Sequence, residues 1–184
     1  MKKPTLIIAA ALLLFIGTQS FAYSAEPTEP FVTGDRYSSA YRQYVVNYFG
    51  PIVKAAVAGT GIFPSVAMAQ LILETGWVTS TLALQYKNLF GIKATPSWTG
   101  AVSPPLYDAA EGSNDRYRAY PSYADSIRDH NAVLMLNRYA DARSAPNPDI
   151  QAYRIWVAGY ATDPQYPYKL VQLMNDYDLY RFDS

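Results

Sequence analysis

The chain contains four glutamates, Glu26, Glu29, Glu74 and Glu111, and one of them stands in an unusual setting. Glu74 closes the apolar run Ala69-Gln70-Leu71-Ile72-Leu73 and is followed by Thr75-Gly76-Trp77. A carboxyl at the end of such a run loses hydration, which disfavours its charged form and raises its pKa. A raised pKa is what a general acid needs if it is to arrive protonated near neutral pH. The plainer reading is a glutamate that reaches solvent from a helix end or pairs with a base. Gly76 and Trp77 weigh against it, because glycine ends the helix and lets a ligand approach, and the indole offers a flat face to a sugar ring.

Other chemistries fall to elimination. The chain has no cysteine, so disulfides, thiolate metal sites and cysteine nucleophiles are excluded. His130 is the only histidine, so the imidazole set of a zinc peptidase cannot be assembled. A serine triad would have to use His130 as well, yet its neighbours read as helix, and a hydrogen-bonded histidine on a helix face is the expected state. No glycine-rich phosphate loop or dinucleotide fingerprint occurs. Carboxylate chemistry remains, with no metal and no cofactor expected.

The elements that must position Glu74 are readable in outline. Tyr41, Val45, Phe49, Ile52, Val53 and Ala56 form a helical stripe that stops at Gly59-Thr60-Gly61. Pro64 suits a first helical turn, and Ser65 to Glu74 follows as a second helix, apolar nearly all round and so expected at the centre of the domain. Leu89 to Lys93, Ala101 to Tyr107 and Arg116 to Tyr120 look extended, with a hairpin turn at Gly112-Ser113-Asn114. Ser122 with Asp125 resembles a capping box that opens a helix through about Leu136. Asn147-Pro148 and Asp163-Pro164 are two further helix starts, and Tyr166, Leu170, Leu173, Met174 and Tyr177 share a face of the last helix. Mostly helix with one small inserted sheet is an α+β domain.

The 184 residues suit one packed domain. Residues 1–22 read as an export signal: Lys2 and Lys3 precede the apolar run Leu6 to Ile16, and Ser20-Phe21-Ala22 offers a cleavage site. That run is too short to span a bilayer, so no stable membrane insertion is expected after cleavage. Residues 23–36 are a polar tether, and 37–184 the domain. Removing Lys2 and Lys3 leaves 13 basic against 15 acidic residues, a net charge of −2, which gives nucleic acid no basic face to bind.

Several ordered motifs, Phe63-Pro64-Ser65-Val66-Ala67-Met68-Ala69-Gln70, Leu73-Glu74-Thr75-Gly76-Trp77 and Asn88-Leu89-Phe90-Gly91-Ile92-Lys93, resemble those of the peptidoglycan-cleaving N-acetylglucosaminidases of glycoside hydrolase family 73. Tyr117 to Ser122, Asp125-Ser126, Asp129-His130 and Ala158 to Pro164 extend the resemblance across about residues 37–182. It implies a lysozyme-like fold with a groove between a helical lobe and a β-hairpin lobe. It also implies cleavage of the β-1,4 bond from N-acetylglucosamine to N-acetylmuramic acid, outside the cytoplasm, by a protein expected to be monomeric.

Carried over by residue, the resemblance makes Glu74 the general acid and puts Tyr160 near the reacting sugar. Asn88 and Phe90 match the stretch lining the groove, and Gln70 and Trp77 join them as substrate-binding candidates. The family has a hairpin glutamate four residues before the turn glycine. Counting back from Gly112 gives Asp108, one methylene shorter, with Glu111 beside the turn as the alternative. The hairpin is also abbreviated before Tyr117, and Val78 stands where the family commonly has a second glycine. Water activation by Asp108 and assistance by the substrate's acetamido group both stay open, as do periplasm and extracellular space. A lytic transglycosylase and a decayed glycan-binding module are the rival readings. A flagellar role is not expected, because the chain lacks the extra N-terminal segment of a rod protein.

Overall fold

The computed structural model describes residues 38–108 and 112–184, with the side chain of Asp108 outside the description. The expected export signal and tether, and Glu111, therefore lie outside the described residues. In chain order the elements are α1 (Ser39–Val57), α2 (Pro64–Thr75), α3 (Thr81–Tyr86), β1 (Leu106–Asp108), β2 (Ser113–Asp115), α4 (Tyr123–Leu134), α5 (Ala140–Arg143), α6 (Pro148–Val157) and α7 (Tyr166–Asp176). Short 3₁₀ turns cover Asn137–Tyr139 and Leu179–Phe182. The expected α+β architecture is present.

Helix α2 is the axis of the domain. Ser65 through Ile72 are all buried, and the helix packs against α1, α6 and α7. A helix apolar on every side can be stable only when other helices surround it, which is what its sequence demanded. Pro64 lies in its first turn, and Phe63 at the N-cap makes no side-chain capping bond. The cap comes from the far end of the chain: Asp183 accepts from the Ser65 amide at 2.8 Å and from its hydroxyl at 2.7 Å. One free N–H of the helix start is thereby satisfied by a carboxylate, which also suits the positive end of the helix dipole. At the other end Gly76 adopts the left-handed conformation (φ 55°) and stops the helix one residue after Thr75.

The other helix starts follow the expected chemistry, with one exception. Ser122 accepts from the Asp125 amide at 3.1 Å, and Asn147 accepts from the Ile150 amide at 2.9 Å. The last helix begins at Tyr166 rather than after Asp163, because Asp163 turns the chain first: its carboxylate accepts from the Gln165 amide at 2.9 Å. α4 stops at Leu134, two residues short of the expectation.

The sheet is smaller than the sequence suggested. β1 and β2 pair antiparallel in the register Leu106↔Asp115, Tyr107↔Asn114, Asp108↔Ser113, so Ser113 and Asn114 are strand rather than turn. Leu89 to Lys93 and the stretches around Val102 and Arg118 contribute only the single bridges Lys93↔Tyr117 and Val102↔Arg118. Such a short hairpin is marginal alone. It is tied down by the Lys93–Asp115 ion pair at 3.0 Å.

Candidate active site

Glu74 leaves the last turn of α2 with its side chain open to solvent. Protein nevertheless surrounds it closely enough that lost hydration raises its carboxyl pKa, while a hydrogen bond from Tyr166 pulls in the other direction. The carboxyl is thus open at its surface and crowded by protein around it. There, hydration is poor but a substrate can still arrive. Tyr166, in the first turn of α7, donates to Glu74 Oε1 at 3.0 Å. Behind it, the Gln70 side-chain amide donates to the Tyr166 hydroxyl at 3.1 Å.

Gln70 is thus not a sugar contact. It is fully buried one helical turn before Glu74, and it reaches the acid through Tyr166. Tyr166 is the site residue that sequence reasoning missed. It was legible only as part of the core stripe of the last helix, because nothing local signals a partner 92 positions away.

Tyr160 comes to the site because Gly159, at φ 83°, ends α6 and turns the chain back. Its ring lies 5.7 Å from that of Tyr166 and 5.7 Å, nearly perpendicular, from His130. Burial first, then the nearby Glu74 charge and Tyr139, push its phenol well above the usual tyrosine range. It therefore stays a neutral hydroxyl beside the acid.

His130 is buried on α4 and stacks on Phe90 at 3.8 Å. Burial pushes its pKa down to about 3, so it is neutral. The expected hydrogen-bonded histidine is not what forms, since neither ring nitrogen has a hydrogen-bond partner among the described residues. Aromatic packing holds it instead. Phe90, 6% exposed, is the other half of that stack and belongs to the core.

Asn88 is also placed behind the site surface. It is buried, its amide donates to the Ile92 and Arg118 carbonyls at 3.0 and 2.8 Å, and its oxygen accepts from the Phe90 and Ile92 amides at 3.3 and 3.1 Å. Both amide hydrogens are engaged within the protein, so Asn88 shapes the 88–93 loop and ties it to the hairpin base. Asn88→Ala is expected to lower the melting temperature sharply, because each orphaned buried backbone group costs about 1–3 kcal/mol. Thermal unfolding followed by circular dichroism checks this, and a shift below about 3 °C would show that the loop does not depend on Asn88.

Trp77 is engaged by the protein as well. Arg42 lies over its ring at 5.2 Å, Tyr177 meets it in an edge-to-face pair at 4.5 Å, and Tyr41 donates to its carbonyl at 3.0 Å. The free sugar platform read from the sequence is, in the fold, a post that secures the turn after Glu74. That turn is strained: Gly76, Trp77 and Val78 have φ of 55°, 68° and 59° in succession. A β-branched residue rarely tolerates a left-handed backbone. Val78 is fully buried, and its amide donates to Thr75 Oγ1 at 2.7 Å. Full burial of valine contributes about 1.5–3 kcal/mol, enough to offset a left-handed cost of about 1–2 kcal/mol.

Asp108 ends β1 opposite Ser113, immediately before the turn. Glu111 lies outside the described residues. Among the described residues no group of three His, Cys, Asp or Glu side chains could hold a metal, and no helix is long and apolar enough to cross a membrane.

Comparison with known proteins gives this arrangement a family. The family described as mannosyl-glycoprotein endo-beta-N-acetylglucosaminidase matches residues 50–179. The peptidoglycan hydrolase FlgJ of Pseudomonas aeruginosa is 31% identical over 177 residues, spanning 90% of this chain and 44% of that protein. The exo-glucosaminidase LytG of Bacillus subtilis is 25% identical over 196 residues, spanning 100% of this chain and 69% of that protein. This chain thus spans less than half the length of FlgJ. Among solved structures, a peptidoglycan hydrolase from Sphingomonas sp. A1 superimposes with a TM-score of 0.66 at 31% identity, covering 76% of this chain and 92% of that one. The matched segment takes in Glu74, the 88–93 loop, the hairpin, Tyr160 and Tyr166, and the chain belongs to the glucosaminidase family, glycoside hydrolase family 73, with its lysozyme-like fold.

Proposed function

We propose that the chain hydrolyses the β-1,4 bond between N-acetylglucosamine and N-acetylmuramic acid in peptidoglycan, with Glu74 as general acid. The observation that carries this is a solvent-facing carboxyl whose pKa is raised by lost hydration, at the end of a buried helix and held by a tyrosine. Glu74 protonates the leaving oxygen as an oxocarbenium-like transition state develops. Tyr160 presents a neutral hydroxyl beside it and does not compete for the proton. On the other face, Asp108 activates water if the two carboxyls stand about 6.5–9.5 Å apart, and the substrate's acetamido group takes over if they do not. Residues 1–22 carry the protein out of the cytoplasm to its substrate, where it works as a monomer without nucleic acid.

Mass spectrometry of borohydride-reduced fragments from purified peptidoglycan tests the reading. Hydrolysis at the proposed bond adds water and leaves reduced N-acetylglucosamine ends. Reduced N-acetylmuramic acid ends would make the chain a muramidase, the activity for which a 31% identical relative from Lactococcus lactis is named. Anhydro ends would make it a lytic transglycosylase, and intact glycan would leave only a binding module.

Chelation should not matter. With one histidine and no cysteine the chain cannot assemble a typical zinc site. Activity in EDTA is expected to equal that without it, and loss that zinc restores would overturn the metal-free mechanism.

A further inference from the structure

We propose that Gln70 and Tyr166 form a one-way hydrogen-bond relay that positions Glu74, reserving Oε1 as an acceptor and leaving Oε2 to carry the proton delivered to the glycosidic oxygen. The inference rests on the reading of Glu74 as general acid and assigns that acid its working oxygen. The direction of the relay follows from what each group can do. The Gln70 amide nitrogen only donates, and it points at the Tyr166 hydroxyl at 3.1 Å. Tyr166 has one hydrogen and three polar neighbours, Gln70, Glu74 and the Tyr160 hydroxyl, which also faces Glu74. With its oxygen accepting from Gln70 and Tyr160 able to donate its own hydrogen, the Tyr166 hydrogen goes to the strongest acceptor, Glu74 Oε1 at 3.0 Å. A carboxyl oxygen that is already accepting is a poor place for the acid's own proton, so the proton resides on Oε2.

The relay is well built for holding a geometry. Gln70 is fully buried on α2, the helix that carries Glu74, so the two cannot move apart. Tyr166 is 4% exposed at the start of α7, which packs against α2. Water therefore cannot easily compete for either bond, and an incoming bond to a hydroxyl strengthens the one it donates. Neither residue faces substrate. Both are positioning residues, acting through Glu74.

Reversing the relay reverses a measurable sign. If Tyr166 instead donated to Gln70, the Glu74 proton would lie on Oε1 and be donated to Tyr166, and removing the hydroxyl would make Glu74 a stronger acid. In the proposed direction Tyr166 stabilises the charged carboxylate, so Tyr166→Phe must make Glu74 a weaker acid.

Glutamate-selective ¹³C labelling gives one carboxyl resonance for each of the four glutamates of the full chain, and the one missing in Glu74→Gln identifies Glu74. Its titration reports the relay without any turnover. Tyr166→Phe is expected to raise the Glu74 midpoint by about 1 pH unit, and Gln70→Met to raise it by less, since the donor to Glu74 is weakened but kept. The basic limb of kcat/KM should move up with it, and kcat should fall about 10-fold with KM little changed, because a misplaced acid harms the chemical step. A midpoint that falls or stays put in a folded Tyr166→Phe protein overturns the relay. If Tyr166→Phe does not fold, the Gln70→Met titration decides by the same sign. A shifted midpoint combined with an active Glu74→Gln protein would leave the hydrogen bonding intact and overturn the functional reading instead.

Discussion

Replacing Glu74 with glutamine is expected to abolish turnover while leaving the fold and the melting temperature nearly unchanged. Glutamine keeps the shape of the side chain and can still accept from Tyr166 through its amide oxygen, the bond that Glu74 Oε1 makes at 3.0 Å. What it lacks is a proton that a leaving sugar oxygen can take. Loss of a general acid typically costs 10²–10⁴-fold or more, and no other described carboxylate reaches this hydrogen-bonded position. Initial rates of reducing-end release per folded molecule measure it. Activity within about tenfold of wild type would remove Glu74 from the mechanism.

The pH profile of the unmodified protein carries the same assignment. An acid works only while protonated, so activity falls as pH rises through the Glu74 pKa. Burial raises that pKa, which places the basic limb of kcat/KM above the ordinary carboxylate range. A basic limb at the value of an exposed glutamate would show that the crowding around Glu74 does not act on the working acid.

The second large effect concerns the hairpin. Asp108→Asn is expected to lower turnover about 10²-fold, less completely than Glu74→Gln, while Glu111→Gln stays within a few-fold of wild type. Asp108 ends β1 in fixed register with Ser113, and the hairpin base is clamped to the 88–93 loop through Lys93 and Asp115. Its place four residues before Gly112 matches the family's hairpin carboxylate, whose function is to activate water. An acetamido group on the substrate can replace part of that function, hence the smaller loss. Aspartate at a turn also hydrogen-bonds nearby backbone, and a purely structural Asp108 would lower the melting temperature at constant turnover per folded molecule. Measuring both quantities on both variants separates these outcomes. A more damaging Glu111→Gln would make Glu111 the second carboxylate in place of Asp108.

Much of the scaffold was legible before folding because its signals are local. Pro64, an unbroken apolar run and Gly76 describe a buried helix and its two ends within about a dozen residues, and α2 spans Pro64–Thr75. Ser122 and Asn147 mark helix starts for the same reason, since a cap bonds to an amide three residues on. Shorter elements were missed or misplaced. α3 has six residues, too few for a periodicity to stand out. The hairpin was expected but with its turn set on Ser113 and Asn114, because three-residue strands carry little alternation to fix a register. Asp163 misled because a capping residue and a turn-forming aspartate use the same carboxylate bond.

For the site, the sequence by itself determined the unusual residue: an acid at the end of an apolar helix is a conflict between burial and charge that needs no coordinates to see. The roles of its neighbours were decided only by the tertiary structure. Gln70 proved to be behind the acid, Asn88 within a loop, Trp77 against Arg42 and Tyr177, and Tyr166 on Glu74 itself. Each of these roles depends on which donor meets which acceptor across 30 to 135 positions of chain, as in the Asn88–Arg118 and Arg42–Tyr177 bonds. Hydrogen bonds are short and directional, so only the tertiary packing, of α1 and α7 against α2 and of the 88–93 loop against the Arg118 stretch, could select those partners.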